Sequence, residues 1–265
     1  MTQIYTIANQ KGGVGKTTTS VNLAASLATY GKRVLMVDMD PQGNATMGAG
    51  AEKNQLQHSV YDVITGQVPT EQAIARPEGI DFHLLPANRD LTAAEVELLQ
   101  LPSRESRLRN ALARVERDYD YIIIDCPPSL SMLTVNALVA CRGVIIPMQC
   151  EYYALEGLSD LVGTIRRIGK LLNPDLKIEG ILRTMYDPRN ALTNEVTAQL
   201  HQYFGEKVYR IAIPRNVRLA EAPSHGVPVL VYDRHSKGAI AYLGLAGEII
   251  RREKKRLARG EAEAR

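Results

Sequence analysis

The run Lys11-Gly12-Gly13-Val14-Gly15-Lys16-Thr17-Thr18 constrains the fold of this chain more than any other stretch. It follows an apolar, β-branched run, Ile4–Ala8, that reads as a strand. It leads into Thr17–Tyr30, where Val21, Ala24, Ala25 and Ala28 recur at helical spacing. A glycine-rich loop between a strand and a helix is an anion cradle. Without Cβ atoms in the way, its N–H groups converge on a phosphate, and the helix N-terminus adds its dipole. Lys16 is placed to neutralise β- and γ-phosphates, and the Thr17 hydroxyl to ligate Mg²⁺. A ligand-free glycine turn does not account for a lysine followed by two threonines at a helix start. The usual spacing G-x-x-x-x-G-K-[ST] is not met, because Gln10 stands at its first glycine. An extra lysine, Lys11, opens the loop instead.

Further apolar runs are expected as strands at Arg33–Asp38, Phe82–Pro86, Tyr121–Asp125, Val144–Met148, Ile178–Thr184 and Val208–Ile213. Amphipathic stretches, Thr92–Gln100 and Arg104–Arg117, precede the fourth strand. Continuous apolar strands separated by helices predict a parallel sheet covered on both faces. The fold class is therefore α/β: a single-domain P-loop NTPase with a mostly parallel twisted sheet and helices on both faces. The 265 residues show no repeat and no composition break. One domain is expected over residues 1–250, followed by a basic, solvated C-terminal tail over 251–265. That tail holds seven Lys/Arg and three Glu, net +4, while the remainder holds 25 basic and 26 acidic side chains, net −1. The formal net charge of +3 thus belongs to the tail. Three cysteines without C-x-x-C spacing argue against a disulfide framework or a structural zinc. No signal peptide and no apolar run of about 18 residues is read, so a cytoplasmic location is expected.

Three aspartates follow strands. A carboxylate leaving the C-terminal end of a parallel strand faces the ligand crevice. In Val37-Asp38-Met39-Asp40-Pro41, Asp40 lies in the loop and is expected to orient the attacking water. Asp38, at the strand end, is expected to hold that loop or a metal-bound water. Ile122-Ile123-Ile124-Asp125 has the Walker B form, placing Asp125 in the outer shell of Mg²⁺. Each could also be a plain turn or helix cap.

The chain resembles the chromosomal ParA (Soj) proteins of the MinD/ParA group, which carry a deviant Walker A loop. The resemblance rests on Lys11–Thr19, Val37–Asn44, Asp125–Ser129, Gln149–Leu158 and Ile213–Ser224. It implies a nucleoid-associated ATPase for DNA segregation. ATP and Mg²⁺ would drive a sandwich homodimer that binds double-stranded DNA without sequence preference, and the N-terminal segment of ParB would stimulate hydrolysis and release. Lys11 would act in trans, on the nucleotide of the other subunit. Lys11, Gly12, Gly13, Gly15, Lys16, Thr17 and Thr18 would contact nucleotide, with Lys11, Lys16 and Asp40 catalytic. Pro214 and Asn216 would hold adenine, with Thr184 and Met185 beside them. Thr17 would ligate the metal directly, Asp125 and Asp38 through water. Gly12 would sit at a crowded interface, where a bulky side chain blocks dimerisation.

Arg189 and Arg218 occupy positions resembling the family's DNA contacts, with Arg215, Arg234 and Lys237 as further candidates. They fall in the locally basic stretch 183–237, net +3 from eight basic and five acidic residues. The alternative is a MinD-like, membrane-associated division regulator. Its membrane helix needs a broad apolar face, and past Ile250 this chain offers only Leu257 and alanines. A plasmid-type relative with an N-terminal helix-turn-helix domain is not expected, because the first strand begins at about residue 3. Nor is an iron–sulfur cluster, because Cys126 reads as a small buried hydrophobe.

Overall fold

A computed structural model describes residues 2–152 and 154–263, with side chains through residue 258. Tyr153, the Arg259 side chain and Arg265 lie outside what is described. Six strands form one parallel sheet: β1 (Gln3–Ile7), β2 (Val34–Asp38), β3 (His83–Leu85), β4 (Tyr121–Asp125), β5 (Gly143–Gln149) and β6 (Lys177–Thr184), in the order β3-β2-β4-β1-β5-β6. The main helices are α1 (Lys16–Thr29), α2 (Met132–Ala140), α3 (Ala154–Leu171), α4 (Ala191–Phe204) and α5 (Lys237–Glu263).

Strand alternation explains the continuous apolar runs, because each strand serves two cores. Ile122, Ile124, Val144 and Ile146 face one side, where Leu133, Leu158, Leu161 and Ile165 of α2 and α3 cover them. Ile123, Ile145 and Met36 face the other, beneath Leu23 and Leu27 of α1 and Tyr242, Leu245 and Ile249 of α5. All three cysteines are free and buried, and burial pushes their thiols up, Cys126 and Cys141 furthest, so they act as packing. No helix among the described residues is long and apolar enough to cross a membrane.

Two expectations need correction. Val208–Ile213 does not form a strand. Val208 makes an isolated parallel bridge to Ile181, and the Tyr209 and Ile213 N–H groups donate to the Ile181 and Arg183 carbonyls. Beyond that, side chains replace the ladder: Arg183 donates to the Tyr209 and Arg210 carbonyls, and the N–H groups of Arg210 and Ile211 donate to Glu248. The segment satisfies its backbone without joining the sheet.

The boundary at residue 250 falls inside α5, and the tail is not simply solvated. Arg252 pairs with Glu248 at 2.7 Å, donates to the Val208 carbonyl and lies 4.4 Å over the Tyr209 ring. Arg256 pairs with Glu179 at 2.5 Å and donates to the Tyr5 hydroxyl. Glu253 accepts from the Tyr121 hydroxyl. Buried carboxylates and phenols beneath the sheet draw these side chains inward, which a count of charges along the tail does not reveal.

Candidate nucleotide site

The loop between β1 and α1 needs glycine for conformation rather than space. Gly13 and Gly15 hold φ of +72° and +84°, and a Cβ on Gly15 would make only ordinary contact with Thr184. Gly15 starts α1, whose first turn carries no acidic residue, so the helix N-terminus faces the loop unneutralised. A Cβ on Gly12 meets nothing within 4 Å in the single chain. Lys16 folds back over the loop, its Nζ donating to the Lys11 carbonyl at 3.1 Å. Burial lowers its pKa, against the opposing pull of Asp125. Lys11 turns away: its ammonium pairs with Glu151, just past β5, at 2.5 Å, and stays about half exposed. Thr18 lines a cleft beside the loop with Thr17, Asn44 and Pro223.

The carboxylates gather at adjacent strand ends, with Asp38 and Asp125 in register across β2 and β4. Asp125 is fully buried and accepts from the Thr17 hydroxyl at 2.9 Å and the Ser20 hydroxyl at 2.7 Å. Both oxygens of Asp38 hold the following loop, one accepting from the Asp40 N–H, the other from the Thr46 N–H and hydroxyl. Asp38 thus holds the loop that carries Asp40. Desolvation raises the pKa of both buried carboxylates; the charge of Asp38 raises that of Asp125 further, and the charge of Asp40 raises that of Asp38. A pair of buried carboxylates below a phosphate loop, with Lys16 the one cation beside them among the described residues, is a site whose chemistry calls for a divalent metal.

The Asp38 clamp positions Asp40. One Asp40 oxygen accepts from the Gln42 N–H; the other accepts no hydrogen bond among the described residues. Gly43 closes this loop. Its φ is +62°, and a Cβ there would lie 2.9 Å from the Ala87 carbonyl oxygen. Ser20, Thr46 and Glu151 were not singled out from the sequence. Ser20 lies one helical turn after Thr17, on the same face. Glu151 obeys the strand-end rule applied to the aspartates, but it meets Lys11 from 140 residues away.

Backbone pairing ties Pro214, two residues before Asn216, to the chain just past β6. Tyr186 bridges Pro214 in parallel, and its N–H donates to the Ile213 carbonyl. Thr184, at the end of β6, donates its hydroxyl to the Val14 carbonyl of the loop at 2.9 Å. Met185 is held at φ +47°, a strained value for a side-chain-bearing residue. The Asn216 Oδ1 is buried without a partner. An orphaned acceptor at that place fits the exocyclic amine of an adenine. The residues present therefore fit both a nucleoside triphosphate and Mg²⁺.

Neither arginine proposed to contact DNA is free. Arg189, highly exposed, pairs with Asp187 at 2.8 Å and holds that carboxyl down to about 2. Arg218 pairs with Glu221 at 2.8 Å and Asp233 at 3.4 Å. Arg215, Arg234 and Lys237 make no ion pair among the described residues.

A family model described as an AAA domain matches residues 2–178. The sporulation initiation inhibitor protein Soj of Bacillus subtilis is 55% identical over 94% of this chain and 98% of its own length. The chromosome partitioning protein ParA of Caulobacter vibrioides is 49% identical over 97% of each chain. Among solved structures, a cobyrinic acid a,c-diamide synthase of Mycobacterium smegmatis with bound ADP and magnesium superimposes with a TM-score of 0.84, at 40% identity over 96% of each chain.

Proposed function

The chain belongs to the ParA/Soj family of chromosome-partitioning ATPases, and from that premise we propose that ATP couples its dimerisation to sequence-blind DNA binding. Hydrolysis, stimulated by the N-terminal segment of a ParB-type partner, would release it. One observation carries the reading beyond plain ATPase activity. Two lysines open the loop, and only Lys16 folds onto it; Lys11 is directed outward to Glu151. A cation half exposed at the rim of a phosphate cradle is available to a nucleotide held by a second subunit.

The chain's residues divide the work. Lys16 and the N–H groups from Gly12 to Thr18 hold the phosphates. The Thr17 hydroxyl would turn from Asp125 to the metal, and Asp125 and Ser20 would hold metal-bound water. When bound, Mg²⁺ offsets the charge of the β- and γ-phosphates. Asp40, clamped by Asp38, presents its unengaged oxygen to a water in line with the γ-phosphate. Lys11 of one subunit would stabilise charge on the other's transferring phosphoryl group, so hydrolysis would await dimerisation. On the DNA side, phosphate groups would exchange with Asp187, Glu221 and Asp233 for Arg189 and Arg218. Exposed ion pairs of this kind are weak and screened by water, so exchange is cheap.

Asp40→Ala tests the division. The variant is expected to bind ATP, dimerise and hold DNA while hydrolysing about 10²-fold or more slowly. Light scattering with ATP and Mg²⁺ reads the dimer. A variant that no longer binds ATP, or remains monomeric at saturating ATP, overturns the reading.

A further inference from the structure

The end of the sheet opposite the phosphate loop carries a second surface that nucleotide chemistry does not use. Lys177 opens β6 and Thr184 closes it against the loop, seven residue steps apart, or roughly 23 Å at strand rise. Beside Lys177, α3 and α4 leave an open trough of about 680 Å³ between them. Its floor is apolar, made by Val162, Ile165, Leu176, Ile178 and Phe204. Its flanks include Tyr203, 72% exposed, near the end of α4.

The rim has one sign. Arg166, Lys170, Lys177 and Lys207 line the trough, no carboxylate does, and none of the four makes an ion pair among the described residues. Asp175 lies in the adjoining turn but not in the lining. Lys207 joins the trough to a neighbouring groove in which Arg210, Arg251 and Lys255 are likewise unpaired. There Glu179 and Glu248 pair with Arg256 and Arg252, and among the described residues Glu206 makes no ion pair.

Four unpaired cations around an apolar floor ask for a ligand carrying carboxylates and apolar anchors together. A nucleic acid duplex would meet the rim but could not fill the floor. An amphipathic helix would do both, its apolar stripe in the trough and its acidic flanks on the lysines. We propose that this trough between α3 and α4 is a docking site for an acidic amphipathic helix of a partner protein, remote from the nucleotide site and independent of nucleotide. The proposal does not rest on the DNA reading of Arg189 and Arg218.

The test uses a fluorescent 14-residue peptide with Leu and Phe at helical i, i+3, i+4 and i+7 spacing and Glu elsewhere. A scrambled peptide of identical composition and a short DNA duplex are the comparisons. Anisotropy is read on the full chain, without nucleotide, at about physiological salt. The amphipathic peptide is expected to bind, and the scrambled one about ten-fold or more weakly. Lys170→Glu/Lys207→Glu should weaken it by a similar factor while leaving basal ATPase activity unchanged. The duplex should not displace it. Equal binding of both peptides, insensitivity to the double substitution, displacement by equimolar duplex, or no binding at millimolar peptide would each overturn the proposal.

Discussion

Arg256→Ala separates a docked C-terminal helix from a solvated tail. The Glu179 side chain is only 3% exposed, and Arg256 pairs with it at 2.5 Å. Removing Arg256 leaves a buried carboxylate unpaired and takes a donor from the Tyr5 hydroxyl. Breaking a buried pair from one side costs about 3–5 kcal/mol. Arg256 is itself 38% exposed, so water reaches the pair and the lower range, about 2–3 kcal/mol, applies. At about 2 °C per kcal/mol for a domain of this size, the melting temperature should fall by about 4–6 °C. Adding Glu179→Gln removes the stranded charge and should restore about 1 kcal/mol or more, a coupling that a double-variant cycle in urea would resolve. Lys254→Ala, an exposed neighbour, should stay within about 0.5 kcal/mol of the parent. If Arg256→Ala behaves like Lys254→Ala, the helix end is solvated and the reasoning fails.

Two further substitutions probe the site and its surroundings. Ser20→Ala takes one of two hydroxyl donors from buried Asp125 and should cost about 1–3 kcal/mol of stability, with a higher Mg²⁺ requirement for hydrolysis; unchanged stability and Mg²⁺ dependence would refute the role given to Ser20. Arg218→Glu should weaken DNA binding in ATP and lower the slope of log K against log salt by about 0.9, one phosphate contact. A filter-binding series across salt concentrations measures it, and an unchanged slope removes Arg218 from the interface.

What the sequence made legible follows from which contacts are local. β4 reads plainly because a strand buried on both faces must be apolar at every position, and its terminal Asp125 has one place to point. The loop reads plainly because two left-handed positions and a helix start lie within a few residues. Val208–Ile213 misleads because Val208, Tyr209 and Ile213 are buried as in a strand, while much of its backbone is satisfied by the side chains of Arg183 and Glu248, distant in sequence. The tail misleads because a run of charge carries no sign of the Glu179 and Tyr5 groups that receive Arg256. Asp38 reads from sequence as holding either the loop or a metal-bound water; the hydrogen bonds from Thr46, eight residues on, carry no signal in the sequence. Arg189 and Arg218 stand where the resemblance places DNA contacts, yet their neutralising carboxylates two and three residues away shape how readily a phosphate displaces them.

In the proposed cycle a ParB-type partner would stimulate hydrolysis by the DNA-bound dimer, so that DNA and partner act together. Steady-state ATPase rates with DNA alone, with a ParB N-terminal peptide alone, and with both together test it most directly. The account predicts strong stimulation only when both are present, and its loss in Lys11→Ala. A rate indifferent to both ligands would contradict it.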